Sequence, residues 1–469
     1  MIVDCIIKTM SRAVIIMENT QSRVLKVSSK DFFVLRNTVL WFDKKIYAMS
    51  NAWVKKNKPE KFKQYLIDED GFFPSGIIHR VKDFLERKGY FVDVIDNRIV
   101  PEKHKLRFRM RCSEPTAYDD QTRCTKALMG GASGIASVPT GVGKTRIMKD
   151  LVQFNGLRSL IITPSTALKE QAAEYLEDCF GSDMVGIYDK RFDAKPITIL
   201  NYHSVGKTDP RVWEDFDLVG IDEFHNSTNN TFRTLNQTHL NSFFYRYGLT
   251  ATNFASQSDD IILLESVLSN TVFSMSIKEA IHKGYIRPVI PIFYNLPNKH
   301  LKSEEDYRQD YKVFMDDNYE KNELITELMA KMRSQGVPSL TLVKHIEHGK
   351  HLAQNGATFL NGQDAKAKQN QAHIERFNAL EIQEIVGTSV IGEGVDTKAC
   401  GAVINAKGGK SEKELLQNIG RCVRNFPNKE VGFYFDFIDN GQKNLKAHSR
   451  LRMRVIEREF GIKPKIIDL

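Results

Sequence analysis

From about residue 130 onward the chain shows short apolar runs separated by polar, helix-forming stretches: GIASV (134–138), SLIIT (159–163), ITIL (197–200), LVGI (218–221), PSLTLV (338–343), IVGTSV (385–390), AVIN (402–405) and GFYFDFI (432–438). Apolar residues alternate little with polar ones inside these runs. Strands buried on both faces read this way, which predicts parallel sheets of the α/β kind. The polar stretch NLPNKHLKSEEDYRQDYK (295–312) divides the runs into two sets and so predicts two such sheets. Ahead of them the pattern changes. In SGIIHRVKDFLERKGYFVDVID (75–96), Ile77, Ile78, Val81, Phe84 and Leu85 fall at helical spacing, Gly89 offers a stop, and an alternating strand follows, predicting a small α+β unit. No internal repeat or low-complexity tract interrupts the pattern.

Composition adds limits. With 469 residues, 41% hydrophobic and 27% charged, the chain can form two or three domains with cores of their own. It has no run of about 18 uncharged apolar residues, and Asp4, Lys8 and Arg12 break the stretch a signal peptide would need, so a cytoplasmic protein is expected. Six scattered cysteines without a CxxC pair suggest reduced thiols rather than a disulfide frame or zinc site. The net charge of +9 lies wholly in residues 1–116, which carry 23 Lys and Arg against 14 Asp and Glu. Basic clusters there, KKNKPEKFK (55–63) and KHKLRFRMR (103–111), suit a polyanion or simply a solvated face, with Lys103, Lys105, Arg107, Arg109 and Arg111 the candidates.

Candidate chemistry begins at SVPTGVGKTRIMKD (137–150), which reads as a strand end, a glycine turn and a helix opening. Thr140, Gly141 and Gly143 belong to a turn able to aim backbone N–H groups at phosphate oxygens. Lys144 would then reach the β and γ phosphates and Thr145 a Mg2+ ion. Downstream, LVGIDEFHN (218–226) delivers Asp222 and Glu223 at a strand end, with His225 beside them. One carboxylate suits the metal shell and the other the activation of water. ATP and Mg2+ are therefore the expected cofactors.

These motifs, with TPSTALKEQ (163–171), ITILNYHSV (197–205), GLTATN (248–253), TSVIGEGVD (388–396) and QNIGRCVR (417–424), stand in an order and spacing that resemble superfamily 2 helicases and translocases of the DExH type over residues 115–445. The resemblance implies two tandem RecA-like domains behind the small α+β domain, with boundaries at 1–112, 113–290 and 291–469. It implies that Gln417, Arg421 and Arg424 act on the γ-phosphate, that Gly394 and Asp396 meet the nucleotide sugar, and that Gln121 reads adenine. Pro164, Thr166, Thr388 and Ser389 would hold a nucleic-acid strand, and Thr250 and Thr252 would couple it to hydrolysis. The chain departs from the family pattern in three motifs: Tyr118, Asp119 and Asp120 precede Gln121, Asn253 stands where proline is common, and Val138 replaces a small first residue.

Within the superfamily the chain resembles the UvsW-like branch-migration helicases of bacteriophages, which carry a small basic domain before the motor. That resemblance implies an ATP-dependent DNA helicase working on branched or forked duplex DNA with single-stranded regions, in recombination, repair or replication. An RNA-remodelling ATPase and a generic duplex-DNA translocase remain the alternatives. The sequence names no protein partner. A chain starting near Arg111 is expected to fold without the basic segment.

Overall fold

The strand expected at 91–96 forms, but as one member of a mixed four-stranded sheet. Its strands are β1 (Arg12–Met17), β2 (Gln21–Leu25), β5 (Phe72–Pro74) and β6 (Phe91–Asp96), in the order β5-β2-β1-β6. β1 runs antiparallel to β2 and parallel to β6. A separate antiparallel pair joins β3 (Trp41–Asp43) to β4 (Lys63–Tyr65). Two helices accompany the sheet, α1 (Ser29–Val34) and α2 (Ile78–Arg87). α2 buries Val81 and Leu85, from the face that helical spacing picked out. The computed structural model describes residues 11–43, 63–101, 106–108, 110–111, 117–188, 195–208, 210–224, 239–240, 243–251, 258–298, 301–302, 306–362, 367–388 and 396–469.

Among these residues the chain divides into two compact units, Met1–Val138 with Lys144–Ser274, and Pro139–Gly143 with Met275–Leu469. The boundary expected at 290/291 falls inside a strand of the second unit. In the first unit α3 (Asp119–Met129) precedes β7 (Ser133–Ser137), then α4 (Lys144–Asn155), β8 (Ser159–Thr163), α5 (Thr166–Phe180), β9 (Val185–Ile187) and β10 (Ile197–Asn201). α6 (Pro210–Glu214), β11 (Leu218–Ile221), β12 (Tyr245–Thr250), α7 (Ser258–Val267) and β13 (Thr271–Ser274) complete it. The seven strands order as β13-β7-β12-β11-β8-β10-β9, all parallel. β8, β10 and β11 are buried along their whole length, as their unbroken apolar runs require.

In the second unit the elements are α8 (Ile277–His282), β14 (Val289–Leu296), α9 (Tyr307–Tyr311), α10 (Tyr319–Ser334), β15 (Ser339–Leu342), α11 (Ile346–Leu352) and β16 (Thr358–Leu360). They continue with α12 (Ala367–Asn378), β17 (Glu384–Gly387), β18 (Ala402–Asn405), α13 (Glu412–Cys422), β19 (Gly432–Asp439), α14 (Lys443–Phe460) and β20 (Lys465–Asp468). Its seven strands are again all parallel, ordered β16-β17-β15-β18-β19-β14-β20. Two parallel-sheet α/β domains and a small N-terminal domain with a mixed sheet are the architecture expected from the sequence.

The small sheet is not self-contained. Its core, built from Ala13, Ile15, Val24, Leu35, Ile77, Val81 and Leu85, also takes in Ile262 and Leu263 from α7 of the first large sheet. Arg80 of α2 meets Glu265 of α7 at 2.5 Å, and His79 lies 3.3 Å from the same carboxylate. Arg246 of β12, only 2% exposed, donates to the Asn19 carbonyl. A Cβ on Gly76, in the turn just before α2, would lie 2.0 Å from the Glu265 carbonyl, so that turn meets α7 as closely as backbone allows.

Candidate functional site

In both large sheets every strand is parallel, so all loops that follow the strands leave one edge. Ligands of open α/β folds bind at that carboxyl edge, and the motif residues gather there. β7 and β11 are separated in the first sheet by β12 alone. Lys144 opens α4 just after β7, and Glu223 follows β11; Lys144 Nζ donates to Glu223 Oε1 at 2.7 Å across the end of β12. Both side chains are largely withdrawn from water, 10% and 12% exposed. Glu223 takes a left-handed backbone, φ 47°, and its N–H bonds the Asp222 carboxylate at 2.9 Å. The Asp222 N–H is held in turn by the Ile162 carbonyl of β8. For a non-glycine residue a left-handed backbone is a strained choice that surrounding structure must hold in place.

Thr250, fully buried, ends the strand between the two, and its carbonyl accepts the N–H of Val138 at the start of the glycine turn. Gly141 and Gly143 both adopt left-handed backbone, φ 94° and 98°, which a residue with a side chain rarely takes. Within the second unit, which includes Pro139–Gly143, Arg424 Cγ lies 3.6 Å from where a Cβ on Gly141 would stand. Likewise, Thr140 Cβ is 3.1 Å from a Cβ placed on Gly420 of α13, a tighter approach than ordinary van der Waals contact. Thr145 is exposed on the first turn of α4.

At the outer strands of the same edge, Pro164 and Thr166 lead from β8 into α5, whose first turn is capped by Ser165. Asn201, the last residue of β10, donates to Thr166 Oγ1 at 3.3 Å. Asn201 was not among the residues singled out from sequence, although a polar residue closing an apolar strand is a usable sign. Gln121, on the first turn of α3, is 5% exposed, and its Oε1 accepts the Tyr118 N–H at 2.9 Å. Its side chain thus caps its own helix. Asp120 is paired with Arg123 at 2.7 Å.

The second unit brings Asp396 and Arg424 together as an ion pair, with Lys398 3.4 Å from the same carboxylate. Gln417 and Arg421 lie on α13 and Arg424 two residues beyond its end; Gln417 is half-buried, whereas Arg421 is 5% exposed, and burial lowers its guanidinium to about 10. Thr388 closes β17, 7% exposed, its N–H on the Leu360 carbonyl. Ser389, Gly394, Thr252 and His225 lie outside the described residues, as do Lys103, Lys105 and Arg109. The visible part of the basic run 103–111 follows the first large sheet's helices. The Leu106 N–H bonds the Gly156 carbonyl, Phe108 packs on Phe180 with ring centroids 5.2 Å apart, and Arg111 pairs with Asp183 at 2.6 Å. Phe108 is therefore engaged in packing, while Arg107 is exposed.

Comparison with known proteins agrees with this arrangement. Residues 111–255 match the family described as the type III restriction enzyme res subunit, and residues 320–426 match the helicase conserved C-terminal domain. The chain is 26% identical over 364 residues to "Putative helicase 22" of Sulfolobus islandicus filamentous virus, an alignment covering 70% of this chain and 64% of that protein. It therefore spans less than two thirds of that relative's length. It is 22% identical over 422 residues to the ATP-dependent DNA helicase uvsW of Enterobacteria phage T4, covering 82% of this chain and 83% of that one. In fold it is similar to S. cerevisiae Dbp5 bound to RNA and ADP BeF3, with a TM-score of 0.55 and 15% identity over 75% of this chain and 89% of the other. Two RecA-like sheets with a lysine–carboxylate pair at one carboxyl edge, matched in order by both family models, make the chain a superfamily 2 helicase related to phage UvsW.

Proposed function

We propose that the chain is an ATP-dependent DNA helicase or translocase that remodels branched or forked DNA. The observation that carries the reading is the Lys144–Glu223 pair at the carboxyl edge of the first sheet. A nearly buried ammonium and carboxylate at a strand-to-helix turn can part to receive a triphosphate, lysine going to phosphate and Glu223 to water. The donor set fits a divalent cation, since the exposed Thr145 hydroxyl and the Asp222 carboxylate are hard oxygen ligands of the kind Mg2+ takes. Mg2+ would neutralise charge on the phosphates. Gln417, Arg421 and Arg424 are proposed to stabilise the transferring phosphoryl group, since a guanidinium fork matches charge spread over equatorial oxygens. Gln121 is proposed for adenine, Gly394 and Asp396 for the sugar, and Pro164, Thr166, Thr388 and Ser389 for the nucleic-acid backbone, with Thr250 and Thr252 coupling the two. Such backbone contacts position a strand without reading its sequence.

DNA is favoured over RNA by the DNA helicase named among the relatives and by the basic first quarter of the chain. The RNA reading is supported by the fold likeness to a protein solved with RNA. ATP hydrolysis measured with DNA and RNA of matched sequence separates them, and unwinding of a four-way junction, a fork and a simple overhang separates branch remodelling from plain translocation. Equal activity on all three substrates overturns the branched-DNA part.

A further inference from the structure

The second sheet has a feature that none of the helicase motifs uses. From β15 the chain crosses to β16 and β17 on one side and then returns to β18 on the other, so the order of connection reverses between β15 and β18. In open α/β sheets the loops part at such a reversal and leave a crevice beyond the strand ends. Here that crevice is a cavity of about 600 Å³ lined by Lys344 after β15 and by Lys407, Gly408, Gly409 and Lys410 after β18, with Tyr307 and Tyr311 of α9 as a wall.

The wall and floor are fixed. Tyr311 is 4% exposed and donates its hydroxyl to the Lys407 carbonyl at 2.7 Å, while Lys344 Nζ sits 4.1 Å above its ring. Arg452 of α14 donates to the Gly409 carbonyl at 2.7 Å and is itself locked in a two-pronged pair with buried Asp436. Both glycines are left-handed, φ 63° and 106°, and a Cβ on Gly408 would lie 2.8 Å from Met315, so the loop lies flat on the floor. Tyr307 differs from Tyr311. It is 40% exposed, its ring 6.1 Å from that of His448 and 6.4 Å from that of Tyr311.

The electrostatics are one-sided. Lys344 and Lys410, both lining the cavity, are exposed. The nearby acids are engaged, Glu414 with Lys407, and Asp316 with His345 and His348. Burial, followed by the charges of Lys410 and Arg452, holds His448 below its ordinary value, which fits a positive field. A half-exposed aromatic ring among lysines is the chemistry that receives an unpaired base and its phosphates, because every base has a π face and stacking does not depend on sequence.

We infer that this crevice is a binding site for single-stranded nucleic acid, in which Tyr307 stacks on a base and Lys344 and Lys410 meet the adjoining phosphates. It rests on the proposed helicase activity and adds to it a point where one strand is held apart from its complement.

The test uses the full chain and a short oligonucleotide carrying 2-aminopurine, with binding, fluorescence quenching and oligonucleotide-stimulated ATP hydrolysis read side by side. Tyr307→Ala is expected to weaken binding about 5-fold to 150-fold and to abolish the quenching, with Tyr307→Trp close to wild type. Lys344→Gln and Lys410→Gln should each flatten the salt dependence of binding by about 0.7 in the log–log slope on a single strand. Retained binding and quenching in Tyr307→Ala overturn the site, and so does a loss equal in the Ala and Trp variants, since stacking would then not be involved. If the stimulated hydrolysis persists in that case, the helicase reading stands without the crevice. A wild-type chain that neither binds the oligonucleotide nor hydrolyses ATP in its presence overturns both.

Discussion

At Glu223 two demands meet on one residue: a backbone held left-handed and a carboxylate held against an ammonium. Glu223→Gln keeps the shape and removes the base, so ATP binding should persist while hydrolysis falls about 100-fold to 10,000-fold, the usual cost of losing a general base. Lys144→Ala should weaken nucleotide binding as well. Turnover of Glu223→Gln equal to wild type would remove the carboxylate from the chemistry. A second residue-scale expectation is structural. Arg452 and Asp436 are almost fully buried, and removing one partner strands the other's charge. Arg452→Ala should therefore destabilise the protein by about 3–5 kcal/mol, seen as an earlier denaturation midpoint. Near-wild-type stability would mean that water reaches Asp436 once the arginine is gone.

Among elements, α7 is the instructive one, since it packs on the first large sheet and also supplies Ile262 and Leu263 to the core of the small domain. Burial pushes the Glu265 carboxyl up, but hydrogen bonds from His79 and Arg80 outweigh it and leave the group below its ordinary 4.5. The native carboxyl thus binds its proton less readily than the unfolded one. Its stabilisation is present above about pH 4.5 and is lost as pH falls through the native value. Urea midpoints of wild type and Glu265→Gln should differ at neutral pH and converge on acidification; a constant gap would show that the pair does not link α2 to α7. No sequence pattern announced this joint, because it joins residues 80 and 265 and only three-dimensional packing brings them together. The central strands were legible because burial on both faces demands unbroken apolar runs. The short edge strand β9, with Ile187 40% exposed, has no such demand and gave no signal. The stretch 295–312 read as a polar divider, yet its Tyr307 and Tyr311, four residues apart, mark one face of α9.

For the molecule as a whole, the joint alters what truncation should do. A chain starting near Arg111 would expose Ile262, Leu263 and Arg246, which the first hundred residues cover. It should be recovered in poor yield or aggregated, contrary to the sequence-based expectation that it folds. Soluble, cooperatively unfolding protein from such a truncation would show the cover to be dispensable. The candidate site was more legible than this architecture, since the motifs proposed for phosphate and metal restrict residue types within short stretches, whereas the small domain's core is scattered along the chain.

The same joint sets an order in time. The last core residue that the small domain supplies from its own part of the chain is Tyr90, and its core is completed only by Leu263. A ribosome adding about 5–20 residues per second needs about 10–35 s to cover that interval. Throughout it, the part of that core which Ile262 and Leu263 will cover stays open on the emerging chain, so the small domain acquires protease resistance late, together with the first large sheet, rather than as the first domain to fold.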